Sequence, residues 1–317
     1  MPINYGIEVR LDVAERQLEP LLRAIDNAIK IADSELVKAR ERLSVLTSVL
    51  TEGFGQEVYI NGSIAHGDAL SPLSDIDMGI ILGEPWATRD RWRSPEKIMT
   101  YTCDVIENLA SARYSEISAD FAAQKRAIVV RFSDDVRAQQ RDFTADVIVA
   151  LAYDEGGGVL IPNLQRQGWD RSDPIKHTEM IRVANQSTNL SFNAVVRMAK
   201  QWNREVGQPL SSWNIKALAL SCITRPMSLT EGMHQFFHHA VEALGVGLTP
   251  DPAGIGAPIG LEMQRSKVLE YLHRACDAFD RMVVGAVSED LHIIHELLQE
   301  LFPTVGTLPR HRERSGW

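Results

Sequence analysis

Two aspartates, Asp75 and Asp77, open the segment Asp-Ile-Asp-Met-Gly-Ile-Ile-Leu, which is short and apolar enough to be a strand in a buried sheet. Residues two apart on a strand project from the same face. Asp75 and Asp77 therefore point together, while Ile76 and Met78 point into the core. Side-by-side carboxylates repel each other, and a fold tolerates the pair when a cation sits between them. Hard cations take oxygen ligands, and Mg²⁺ prefers a few carboxylates together with substrate phosphates. The chain is thus expected to build a sheet with one face in the core and a Mg²⁺ platform at the start of one strand.

A third carboxylate completes a two-metal site. Asp146 is the best candidate, because Thr144-Ala145-Asp146-Val147-Ile148-Val149 is otherwise an apolar strand. An acid placed there is costly without a metal or a partner. Asp154 is weaker, since Asp154-Glu155-Gly156 reads as an ordinary turn. Upstream, the strand Val58–Asn61 runs into Gly62-Ser63, and eleven residues separate Ser63 from Asp75. A Gly-Ser turn that opens a helix offers backbone N–H groups and a hydroxyl to phosphate oxygens. Alone, an Asp-x-Asp is usually a solvated strand start, and a Gly-Ser pair is common loop punctuation. Their combination with Asp146 gives the reading its weight.

Apolar residues recur at helical spacing from about Val9 to Leu50, including Leu18, Leu22, Ile25, Ile29, Leu43, Leu46 and Leu50. Pro20 should begin or kink a helix, so one long helix after Pro20 is expected, ended by Gly53 and Gly55. Strands are expected at 58–61, 75–82, 127–132 and 145–151, with a short one at 159–161 after Gly156-Gly157-Gly158. A helix is expected to start at Pro95 with Ser94 as its cap. Beyond Met180 the pattern is helical, near 180–205, 212–224, 229–244, 262–283 and 288–301, with a Pro/Gly-rich loop at 248–258. These segments predict an α+β protein. Residues 1–165 form a mixed-sheet core with a long N-terminal helix, 166–308 a helical lobe, and 309–317 a polar tail, with the active site in the cleft between core and lobe.

Composition narrows the partners. The chain has 317 residues, 44% of them apolar, which suffices for a full core. The net charge of −9 argues against a grip on long nucleic acid, where phosphate contacts dominate affinity. Cys103, Cys222 and Cys276 are far apart and odd in number, so buried free thiols are expected. The opening residues lack a signal-peptide pattern and no apolar run approaches the length of a membrane span, so a cytosolic protein is expected.

In the helical region, Leu190, Ala194, Val195, Met198, Ala199 and Trp202 form a core stripe, and Trp202 is assigned to it. Arg197 and Lys200 lie three apart on the helix surface away from that stripe and read as a solvated basic face. The Asn163 amide could meet a base edge, although a turn-forming Asn is the commoner case. His66 and His177 are read as structural or capping residues, and no histidine pair is taken to have zinc-ligand spacing.

The pattern Gly62-Ser63, eleven residues, Asp75-Ile76-Asp77-Met78 and a later strand aspartate, Asp146, resembles the signature of the polymerase-β nucleotidyltransferase superfamily. The chain is most similar to its cGAS/DncV-like nucleotidyltransferases (CD-NTases) of bacterial anti-phage defence. The likeness also takes in Ile161-Pro162, Trp169 with Pro174 and His177, Arg197-x-x-Lys200-x-Trp202, Leu210-Ser211-Ser212-Trp213 and Asp251-Pro252. It implies that Lys200, Ser212 and Arg197 hold a donor triphosphate, and that Trp213 stacks on the base. It also implies a template-independent enzyme with two Mg²⁺ ions, or Mn²⁺ in their place, that joins NTPs into a cyclic di- or trinucleotide. The product would switch on a separate effector, and a regulatory partner could dock at the Arg-rich tail. The rival readings are transfer to a non-nucleotide acceptor and a non-catalytic nucleotide-binding scaffold.

Overall fold

A computed structural model describes residues 5–305 apart from 84–85, 87–93, 115, 123, 134–141 and 154–156. Asp154 and the tail from Pro309 lie outside the described residues. The elements are α1 (Tyr5–Ile29), α2 (Asp33–Phe54), β1 (Val58–Asn61), α3 (Gly62–His66), β2 (Asp75–Leu82), α4 (Pro95–Ala110), β3 (Glu116–Asp120), β4 (Ile128–Ser133), β5 (Thr144–Ala152), β6 (Val159–Asn163) and β7 (Gly168–Ser172). Six helices follow among the described residues: α5 (Pro174–Ser187), α6 (Ser191–Glu205), α7 (Ser212–Cys222), α8 (Leu229–Val246), α9 (Arg265–Val287) and α10 (Leu291–Leu301).

The expected α+β class is borne out. Seven strands form one mixed sheet with the path β1-β2-β5-β4-β3, and β6 extends it from β5 to β7. β2 and β5 run parallel, while the other strand pairs are antiparallel. Alternation along β2 and β5 decides what each face does. Ile76, Met78, Ile80 and Leu82, with Ala145, Val147, Val149 and Leu151, join a core with Leu43, Leu46 and Leu50 of α2 and Ile98, Met99 and Ile106 of α4. The opposite parity carries Asp75, Asp77 and Asp146, then Ile81 and Ile148.

Two compact units emerge, and a single cut after residue 165 does not separate them. The sheet unit holds Ile31–Val183 and Pro250–Pro258; the helical unit holds the chain through Lys30, then Ala184–Thr249 and from Ile259 onward. The 250–258 loop therefore packs with the sheet unit. Its anchor is Asp251, which accepts from His177 Nε2 at 2.7 Å and from the N–H groups of Ile255 and Gly256.

Three helical expectations are corrected. The long helix continues through Pro20, whose exposed position lets water serve the carbonyl it leaves unpaired, and the chain breaks instead at Lys30–Ala32. There the Ala32 N–H donates to Glu35 at 3.1 Å and starts α2. The 180–205 segment is two helices, α5 and α6, separated where Asn189 and Leu190 take left-handed φ of 52° and 69°. Ser94 precedes α4 as expected, but its side chain makes no cap hydrogen bond. In the helical unit Trp202 is in the core and meets Phe237 edge-on at 5.2 Å. The three cysteines are free and buried, and burial pushes each thiol up to about 12.

Candidate active site

In the parallel register, Asp77 pairs with Asp146 and Asp75 with Thr144. The three carboxylates therefore occupy one face at the N-terminal ends of two neighbouring strands, none of them fully buried. Asp146 shows what this crowding does. Its carboxyl is pushed up to about 7, by burial first and then by Asp77 and Asp75, with Arg131 pulling the other way. A cation placed among these oxygens reverses that penalty, and three carboxylates are the hard donor set that Mg²⁺ takes. The residues fit the ion.

α2 ties down both strand starts. Glu35 accepts from Ser71 Oγ and from the Leu73 N–H, each at 2.7 Å, and so fixes the approach to Asp75. Two turns on, Arg42 donates to the Phe143 carbonyl at 2.9 Å and pairs with Asp142, just ahead of Asp146. Its guanidinium also lies 4.3 Å from the ring centroids of Phe132 and Phe143. Such a stacked, forked site is not one Lys could replace.

Gly62 takes φ +67° and opens α3, as the Gly-Ser reading expects. A Cβ there would collide with the Asp77 carboxylate. Asn61, which pairs with Asp77 across β1 and β2, accepts from Thr178 Oγ1 at 3.1 Å, and that oxygen also meets His66 Nε2 at 3.0 Å. His66 is thus part of the frame around the turn, which is the structural role expected of it. Tyr59 shares the carboxylate face: its ring fills the space over Gly79, and its buried hydroxyl has no hydrogen-bond partner among the described residues. Burial first, and then the charge of Asp77, hold the phenolic proton in place. Sequence reading missed Tyr59, Glu35 and Arg42; the signal for Tyr59 was the unexplained Gly79 in the partner strand.

Other expected site residues are placed differently. Asn163 is buried in the β6–β7 hairpin, its amide donating to Asp170 at 2.8 Å and accepting from the Arg166 N–H at 3.2 Å. That makes it a turn residue, with its amide committed to the hairpin. Arg197 is not on a solvated face. It is 8% exposed and forks onto Asp26 of α1, at 2.7 Å and 3.0 Å, inside the helical unit. Lys200 is half-buried on the same helix. Ser212 is exposed at the first position of α7, Trp213 is half-buried beside it, and Ser211 caps the helix by accepting from the Asn214 N–H at 3.1 Å.

No family model matches the chain. A curated relative, the cyclic AMP-AMP-AMP synthase of an Acinetobacter species, is 28% identical over 135 residues, which span 42% of this chain and 36% of the relative. Among solved structures, Escherichia coli MS115-1 CdnC with ATP matches 92% of this chain and 99% of its own, at 14% identity and a TM-score of 0.67. Bradyrhizobium diazoefficiens CdnG, a CD-NTase in complex with GTP, matches 90% of this chain and 96% of its own, at 14% identity and a TM-score of 0.67. Among the described residues, no helix is long and apolar enough to cross a membrane.

Proposed function

We propose that this chain, which has the fold of the CD-NTases, is a template-independent nucleotidyltransferase that makes a cyclic di- or trinucleotide from NTPs. The observation that carries the reading is the cross-strand pairing of Asp77 with Asp146 on the face that also bears Asp75. A scaffold that had lost the chemistry would have no reason to keep three mutually repelling carboxylates together. The segment shared with a cyclic AMP-AMP-AMP synthase favours a nucleotide as the acceptor over another molecule.

In this reading Asp75 and Asp77 would hold one ion, and these two with Asp146 would hold a second. Bound Mg²⁺ neutralises phosphate charge and lowers the pKa of the attacking ribose hydroxyl. The Gly62–Ser63 turn supplies N–H groups and the Ser63 hydroxyl to phosphate oxygens, and the glycine lets that backbone approach Asp77. The hydroxyl gives up its proton to solvent, its oxygen bonds to the α-phosphorus, the bond to the bridging oxygen breaks, and pyrophosphate leaves. Positioning and charge neutralisation do most of the work. From the helical unit, Ser212 at an exposed helix start and Lys200 serve the triphosphate, and Trp213 offers a stacking face. The buried Asp26–Arg197 pair supports that helix and is not assigned to substrate. The product then acts in anti-phage signalling through a separate effector.

The deciding experiment incubates the purified chain with all four NTPs and Mg²⁺. A phosphatase-resistant product accompanied by pyrophosphate is expected. Pyrophosphate without a resistant product would move the reading to another acceptor, and no turnover with any nucleotide would remove it.

A further inference from the structure

His234 and His238 lie four residues apart on α8, so one helix face presents both rings, 4.3 Å apart between centroids. The expectation that no histidine pair has zinc-ligand spacing is corrected here. Both Nε2 atoms converge on a single oxygen of Asp280 in α9, at 3.1 Å and 3.0 Å. The three ligand atoms all lie within 4.8 Å of one another.

Serving one carboxylate oxygen with two imidazoles requires each ring to carry its proton on Nε2, so two N–H dipoles crowd the same acceptor. A single cation satisfies all three groups at once. Ligand atoms around a tetrahedral Zn²⁺ at about 2.0–2.1 Å from each stand roughly 3.3 Å apart, so the two nitrogen–oxygen spacings need to open by only tenths of an ångström. The donors are reachable, because the side chains of His238 and Asp280 are 41% and 44% exposed while His234 is mostly enclosed. Two imidazoles with one carboxylate select Zn²⁺ or a similar transition cation over Mg²⁺, which favours all-oxygen sets.

We propose that His234, His238 and Asp280 form a second metal site, one that binds a divalent transition cation of the Zn²⁺ class and clamps α8 to α9 in the helical unit. The site is separate in chemistry from the carboxylates on the sheet. The remaining coordination positions are left to water.

The test uses the full chain stripped with EDTA and titrated with Zn²⁺ by calorimetry, with melting temperature as a second readout. One equivalent of Zn²⁺ and a higher melting temperature are expected, both unchanged by millimolar Mg²⁺ and both retained in Asp77→Asn. His238→Gln and Asp280→Asn should each weaken Zn²⁺ binding on the order of 100-fold and abolish the thermal shift, whereas His292→Gln, at an exposed histidine, should not. Co²⁺ added to the unmodified chain should give the absorption bands of a four- or five-coordinate ion, which tests the site even if a variant misfolds. Equal Zn²⁺ affinity in the native chain and His238→Gln, or only six-coordinate Co²⁺, would overturn the proposal.

Discussion

Gly62 lies against the carboxylate of Asp77 so closely that the position has no room for a side chain. Two constraints meet there, since Gly62 also takes φ +67°. Gly62→Ala should incur about 1 kcal/mol from the left-handed backbone and, separately, push Asp77 out of line. The variant is expected to remain folded by circular dichroism yet lose at least about 100-fold in pyrophosphate release. A variant that melts lower but turns over normally would show that the close approach matters to folding alone.

The carboxylates themselves should rank clearly. Asp77→Asn is expected to abolish product formation with the fold intact, and Asp146→Asn to reduce turnover by orders of magnitude. Near-native turnover in a correctly folded Asp77→Asn protein would remove the two-metal reading.

Asp146 also sets a pH dependence for the metal-free protein. Its folded carboxyl sits at about 7, above the ordinary 3.8, so between these values the folded state holds a proton that the unfolded state has released. Stability from this group is complete below the unfolded value and is lost as pH rises from about 4 to about 7. The melting temperature of the EDTA-treated chain should therefore carry a downward slope across that window. Mg²⁺ should flatten the slope, and Asp146→Asn should remove it. A slope unaltered by both would mean that other groups set it.

Arg197 and Lys200 look equivalent in sequence, three residues apart on one helix, and the fold separates them. Arg197 forks onto Asp26, whose side chain is 2% exposed. Arg197→Met leaves that carboxylate with Lys30 at 3.2 Å, and it should destabilise the chain by about 3 kcal/mol with little change in NTP affinity of the folded fraction. Weakened NTP binding at an unchanged melting temperature would return Arg197 to the substrate.

The face of the sheet that carries the chemistry was legible because alternation has a period of two. Once Ile76 and Met78 are in the core, Asp75 and Asp77 cannot be, and the apolar setting of Asp146 marked it in the same way. What could not be read depends on long-range contact. Nothing local tells that Glu35 and Arg42, two turns apart on α2, hold the two strand starts. Nor does any local signal tell that Asp26 claims Arg197 across 171 positions of sequence. Strands β3 and β7 escaped because Glu116–Asp120 and Gly168–Ser172 are polar and lack an apolar run. The pairing of His234 with His238 was local and readable, but its third partner, Asp280, becomes visible only once α8 and α9 pack.

Lys200 and Trp213 should fail differently if both serve the donor nucleotide. Lys200→Ala removes a positive charge from phosphates common to every NTP, so affinity should fall by a similar factor for all four. Trp213 is half-buried beside the exposed Ser212 at the start of α7. Trp213→Ala removes a stacking plane worth about 1–3 kcal/mol per base, and the loss should vary with the base because stacking strength does. Trp213→Tyr keeps an aromatic face and should retain most of the affinity. Binding of the four non-hydrolysable NTP analogues to the three variants separates the two roles, with melting temperature measured alongside. If Trp213→Ala lowers the melting temperature sharply and leaves every affinity unchanged, the indole is a packing residue of the helical unit and the base is held elsewhere.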